Sequence, residues 1–249
     1  MDKPTASDPV SGPVIELDNI RYSYPGGSPV LRDLSFILNR GERTGLLAPN
    51  GSGKTTLFHV IMGLLPISKG TIRIFGRSME SEKDFVWARR KVGLLFQDAD
   101  DQLFSPTVID DVAFGPLNMG KTRQEALDVS RRTLSFLGLS EFENRITFKL
   151  SGGEKKLVSL ATILSMEPEV LLLDEPLNGL DQATRSRLTG VLASIDSSYI
   201  IISHDIDFLL DCTDTIYCLR DGKTEKDTTV HVHTHDHAHM MGHIPHKHE

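Results

Sequence analysis

The octapeptide Ala48-Pro49-Asn50-Gly51-Ser52-Gly53-Lys54-Thr55 constrains this chain more than any other segment. It stands between the compact apolar run RTGLLA and a stretch carrying Leu57, Val60, Ile61 and Leu64 on one predicted helical face, ended by Gly63 and Pro66. A strand that turns through glycines into a helix gathers unsatisfied N–H groups and a positive dipole end at one point, and such a point attracts anions. The spacing is that of a phosphate-binding loop, with Ala48 where the first glycine usually stands. Gly51 and Gly53 let the backbone wrap phosphate, and Asn50, Ser52 and Thr56 belong to the same contacting stretch. Lys54 is expected to reach the β- and γ-phosphates and Thr55 to place its hydroxyl on Mg²⁺.

The rest of the chain supplies a frame for that loop. VLLLDE is an almost uniformly apolar strand, followed by a helix bearing Leu188, Val191, Leu192 and Ile195 and by a second apolar strand, YIIISHD. Short buried strands alternating with helices imply a mainly parallel sheet covered on both faces, an α/β fold of the P-loop NTPase type. Near the start, Val14 to Leu17 and Leu34 to Leu38 flank the turn-forming YSYPGGSP, which predicts an antiparallel β subdomain. From Met79 to about Ser165 the chain is polar and periodic, with Leu127, Leu134 and Leu137 at helical spacing. An inserted helical subdomain is expected over about 98–165. The carboxyl ends of parallel strands collect ligands. Asp174 is therefore a candidate for Mg²⁺, Glu175 for the general base that polarises water, and His204 for a γ-phosphate contact that orients it.

Composition narrows the classes further. Hydrophobic residues make up 39% of 249, close to the average for packed domains. Cys212 and Cys218 suggest no disulfide framework, which favours a reducing setting. Residues 1–13 contain no apolar stretch and read as a flexible leader. No apolar run approaches the 18 or more residues of a spanning helix, so any service to a membrane is expected through docking. The formal charge of −7 argues against broad binding to nucleic acid, which is not an expected partner.

Leu150-Ser151-Gly152-Gly153-Glu154 adds a second anion site at a helix start, and together with the loop and strands it resembles the signature of ATP-binding cassette (ABC) ATPases. The resemblance covers about residues 14–222, although Glu154 stands where family members more often carry glutamine. It implies that Tyr24 stacks on adenine, with Tyr22 a weaker candidate, and that Gln97 links Mg²⁺ and γ-phosphate to the helical subdomain. Asp181 would communicate across a dimer. It implies further that Ser151, Gly152, Gly153 and Glu154 of one subunit complete the nucleotide site of a second, giving a homodimer that closes on ATP. Residues 99–120, ADDQLFSPTVIDDVAFGPLNMG, resemble the ATPase component of energy-coupling factor importers. That likeness implies a transmembrane energy-coupling protein and a small membrane substrate-capture protein as partners, at the cytoplasmic face.

Residues 223–249 read as a histidine-rich disordered tail, in which His231, His233, His235, His237 and His239 alternate. Imidazoles so spaced suit Ni²⁺ or Co²⁺, and joined to the importer resemblance they suggest nickel or cobalt as cargo. A compositional accident or a cloning scar is the competing explanation. The alternative functions are vitamin uptake by an energy-coupling factor system, or a soluble cassette ATPase acting on nucleic acid or ribosomes. The latter relatives carry long coiled-coil insertions or two cassettes, and neither feature occurs here.

Overall fold

A computed structural model describes residues 12–226. β1 (Pro13–Ser23) and β2 (Pro29–Asn39) form an antiparallel pair across the expected turn, each several residues longer than its apolar core. β3 (Arg43–Leu47) leads into the glycine loop and α1 (Lys54–Ile61). β4 (Lys69–Ile74) and β5 (Arg77–Ser78) then extend the first sheet, whose order is β2-β1-β4-β5. After α2 (Glu82–Ala88), β6 (Val92–Leu95) enters a second sheet. That strand adds a buried element to the stretch after Met79 that reads as polar and periodic, and it precedes the helical subdomain expected over about 98–165. Four buried residues, VGLL, are too short a run to reveal by periodicity which element they form.

The inserted helices are α3 (Val108–Asn118), α4 (Arg123–Phe136) and α5 (Gly152–Leu164). Their starts are fixed locally: Thr107 caps α3, and Thr122 with Glu125 and Ser151 with Glu154 form reciprocal capping boxes. Pro116 lies inside α3 and cannot donate to the carbonyl of Val112. The Ser165 hydroxyl at the end of α5 donates to that carbonyl instead, at 2.8 Å, so the proline becomes a tie between two helices.

The chain closes with β7 (Val170–Asp174), α6 (Gln182–Ser194), β8 (Ser198–Ser203), α7 (Ile206–Cys212), β9 (Thr215–Arg220) and β10 (Lys223–Lys226). The second sheet runs β10-β9-β3-β8-β7-β6 and is parallel except for β10 at its edge. Every residue of β7 and β8 is buried. Strand alternation splits them between two cores: Val170, Leu172, Ile200 and Ile202 pack with α1 and the antiparallel sheet, whereas Leu171, Leu173, Tyr199 and Ile201 pack under α5, α6 and α7.

Three local expectations need correction. Leu64 does not share the apolar face of α1: the helix ends at Ile61, the N–H of Leu64 folds back on the His59 carbonyl, and its side chain is 48% exposed. Tyr22 is a core residue, 6% exposed, and so cannot offer a ring to a base. The folded domain also runs past Gly222, because Asp221 (φ 51) and Gly222 (φ 75) form a two-residue hairpin that pairs the charged KTEK with β9. The tail histidines lie outside the described residues, as do residues 1–11 of the leader.

Candidate functional site

The carboxyl ends of β3, β6, β7 and β8 bring together residues more than a hundred positions apart. Ala48, fully buried, ends the strand side of the loop. Gly53 adopts φ 94, and a Cβ there would meet the Val30 side chain at 2.8 Å, so both backbone conformation and space demand glycine. Ser52 carries a buried hydroxyl with no hydrogen-bond partner among the described residues. A phosphate oxygen at the helix start would satisfy it.

Lys54 and Glu175 form the centre of the site. The Lys54 ammonium donates to Glu175 Oε1 at 2.6 Å and to Asn50 Oδ1 at 3.2 Å, and both charged side chains are under 10% exposed. The other Glu175 oxygen meets His204 Nδ1 at 2.9 Å, with the imidazole largely in solvent. Glu175 itself sits at φ 45, a left-handed conformation unusual for this residue type, held by its N–H donating to the Ile202 carbonyl. The turn out of β7 thus aims the carboxylate back across the loop instead of along the strand.

Beside it, the Thr55 hydroxyl donates to Asp174 Oδ2 at 2.7 Å, while Asp174 Oδ1 is buried with no hydrogen-bond partner among the described residues. An orphaned anionic oxygen next to a hydroxyl fits a hydrated Mg²⁺. Burial holds the Asp174 carboxyl above the ordinary carboxylate range, against the stabilising donation from Thr55. A folded value above the unfolded one means that this group's contribution to stability falls as pH rises from the unfolded to the folded value. Asp174→Asn is therefore expected to raise the melting temperature of the nucleotide-free chain above that of the parent at neutral pH. It should also remove the extra stabilisation that Mg²⁺ adds to ATP, and thermal melts with ATP plus or minus Mg²⁺ check both results.

Tyr24 offers a ring 46% exposed and places its hydroxyl 3.1 Å from Thr56 Oγ1, so it borders the nucleotide loop. Gln97 follows β6 on the same sheet edge and is exposed. Among the described residues its side chain makes no hydrogen bond, and its carbonyl accepts from Lys156 Nζ at 2.8 Å. Lys156 escaped sequence reading because it looks like one of two solvated lysines after the signature. It is 4% exposed, and burial pushes its ammonium down to about 8 against the pull of Asp174, Asp98 and Glu175.

Among the described residues the signature residues share no hydrogen bond or ion pair with Lys54, Asp174 or Glu175. Ser151 accepts from the Glu154 N–H at 3.3 Å and donates its own N–H to Glu154 Oε2 at 2.8 Å. Glu154 also pairs with Arg145, and the Ser151 N–H holds its carboxyl below the usual range. Glu154 is thus occupied in capping α5. Asp181 caps α6 through Thr184, whose N–H and hydroxyl lie 3.0 and 2.8 Å away. The face of Gly152 is open, with nothing within 4 Å of where a Cβ would stand, and Gly153 shares with Ser151 and Asp181 a groove of about 430 Å³. Within one chain the lysine loop and the signature turn are two separate anion-accepting ends.

Phosphate loop, acidic strand end, histidine and signature turn now stand on one α/β frame, and the ABC transporter family profile matches residues 31–178. The chain belongs to the ABC transporter family. As an ABC cassette it binds and hydrolyses ATP. It is 49% identical over 97% of its length to a putative ABC transporter ATP-binding protein of Nitratidesulfovibrio vulgaris, covering 89% of that protein. It is 42% identical over 84% of its length to the energy-coupling factor transporter ATP-binding protein EcfA of Methanothermobacter thermautotrophicus, covering 69% of it. The solved structure of cbiO1 from Clostridium perfringens, described as part of the ABC transporter complex cbiONQ, superposes with a TM-score of 0.77 at 34% identity, covering 86% of this chain and 87% of that one.

Proposed function

We propose that two copies of this cassette close on ATP and drive an energy-coupling factor importer for nickel or cobalt ions from the cytoplasmic face of a membrane. The observation that carries the importer reading is an aromatic step on the helical subdomain. Phe104, 67% exposed, stacks edge-on against Phe114, 47% exposed, with ring centroids 4.8 Å apart. Buried Asp111 fixes the step by accepting from the N–H groups of Phe104 and Ser105 at 3.1 and 2.9 Å. Apolar rings held rigidly in water mark a surface made for a partner. No helix among the described residues is long and apolar enough to cross a membrane, and in this reading the spanning element belongs to a partner chain. The likeness to EcfA and cbiO1 supports that partner being an energy-coupling protein.

The chemistry follows from the resting contacts. When ATP enters, Lys54 exchanges its bond to Glu175 for the β- and γ-phosphates, with the loop N–H groups and Ser52 around them. Mg²⁺ held by Thr55, Asp174 and Gln97 would neutralise charge developing on the phosphate oxygens. Glu175, released from Lys54, turns its carboxylate to the attacking water, and His204 keeps that carboxylate and the γ-phosphate aligned. The open Gly152 face and the Ser151 helix start complete the site of a second copy, with Asp181 at the junction. Tyr24 covers the base.

Vesicles reconstituted with this chain, a transmembrane energy-coupling protein and a substrate-capture protein should accumulate radioactive Co²⁺ or Ni²⁺ on addition of ATP. Joint replacement Phe104→Ala and Phe114→Ala is expected to lower uptake at least tenfold. The melting temperature should move by less than about 2 °C, because neither ring is in a core. Uptake of a vitamin in place of either ion would transfer the cargo assignment to the vitamin group. Undiminished uptake in the double variant would remove the aromatic step from the docking surface.

A further inference from the structure

Lys156 lies in the first turns of α5, directly after the signature, yet its ammonium is directed back across the domain to the segment after β6. It donates to the Phe96 carbonyl at 2.9 Å and to the Gln97 carbonyl at 2.8 Å. A cation only 4% exposed that bonds two neutral carbonyls gives up hydration which a methionine of similar length would never have needed. Packing alone therefore does not account for a lysine here. The other side of the same segment is held from the same helix: Gln102 accepts from the Phe96 N–H at 3.2 Å and donates to the Ser159 carbonyl and the Thr162 hydroxyl, both at 2.8 Å. The Gln97 peptide is thus clamped to α5 through its carbonyl by Lys156, and among the described residues the exposed Gln97 side chain has no hydrogen bond of its own to set its place. Gln97, Gly152, Lys156 and Asn178 line one cleft of about 270 Å³, so the clamp borders the signature turn.

We propose that Lys156 is a positioning residue for ATP hydrolysis: it ties the Gln97 backbone to the signature helix, so that movement of the signature turn and presentation of Gln97 to the nucleotide occur together. This rests on the reading of Gln97 as a residue that meets nucleotide and Mg²⁺. Lys156→Met keeps the stem and removes the donors. It is expected to lower kcat about tenfold with KM for ATP within about twofold, the pattern of a group that acts on turnover and not on binding. In the nucleotide-free protein, amide exchange at residues 96–98 should speed up about tenfold or more, while the body of α5 is unchanged.

A double-mutant cycle locates the effect. If Lys156 acts through Gln97, Lys156→Met should change kcat less than about twofold once Gln97→Ala is present. An impaired Gln97→Ala protein in which Lys156→Met still takes off its full factor overturns the positioning role alone. A Gln97→Ala protein with the parent's kcat overturns the reading of Gln97 and the proposal with it. Unchanged exchange at residues 96–98 also overturns it. Should Lys156→Met fail to fold, the same cycle is run with Lys156→Gln, whose amide stops one atom short of the two carbonyls, and the same thresholds decide.

Discussion

Glu175→Gln should slow ATP turnover by about a hundredfold to a thousandfold, in the range assigned to positioned acid–base groups, while KM for ATP stays within about threefold. The amide keeps the shape of a side chain that spans Lys54 and His204 but cannot draw a proton from water. Turnover then stops at the ATP-bound stage, and a dimer should accumulate with MgATP on size-exclusion chromatography where the parent shows mostly monomer after hydrolysis. Because a buried ammonium loses its anionic partner, the nucleotide-free variant should melt below the parent, and ATP should restore the difference. Turnover within threefold of the parent would take the general-base role from Glu175.

Lys54→Ala is the complementary case, with its main effect on binding. Loss of the ammonium should weaken ATP at least a hundredfold by calorimetry, about 2.8 kcal/mol or more at about 1.4 kcal/mol per decade. It also leaves a carboxylate 2% exposed without its direct ion-pair partner, the situation in which breaking a buried pair costs about 3–5 kcal/mol. Adding Glu175→Gln to Lys54→Ala should therefore recover part of the lost stability without recovering ATP affinity. Denaturant titrations of the four proteins test this coupling, and a double variant no more stable than Lys54→Ala would show that the resting ion pair carries little of the fold. Parental ATP affinity in Lys54→Ala would remove Lys54 from the phosphate cradle.

What could be read in advance divides by the range of the interaction involved. The strand, glycine loop and helix around Lys54 follow from contiguous residues, as do the uniformly apolar β7 and β8, since a strand buried on both faces has no reason to alternate. The Asp221-Gly222 hairpin was equally local, a two-residue turn signal, but the charged residues after it disguised a strand that exists only by pairing with β9. The four residues of β6 carry no period to read. Glu154 and Asp181, assigned to chemistry from resemblance, serve in this structure as helix caps, work that Ser-x-x-Glu and Asp-x-x-Thr spacings specify by themselves.

The sequence by itself determined that a phosphate loop, an acidic strand end, a histidine and a signature turn occur on an α/β frame, because each is a short-range pattern of residue types. Tertiary structure alone decided how they meet. Lys54 and Glu175, 121 positions apart, form a buried pair because parallel strands deliver their carboxyl ends to one edge and the left-handed turn at Glu175 points its carboxylate inward. Lys156 became a clamp and not a solvated charge only because α5 packs across the segment after β6. Burial and partnership of a charge depend on what lies across space, and no local pattern of residues encodes that.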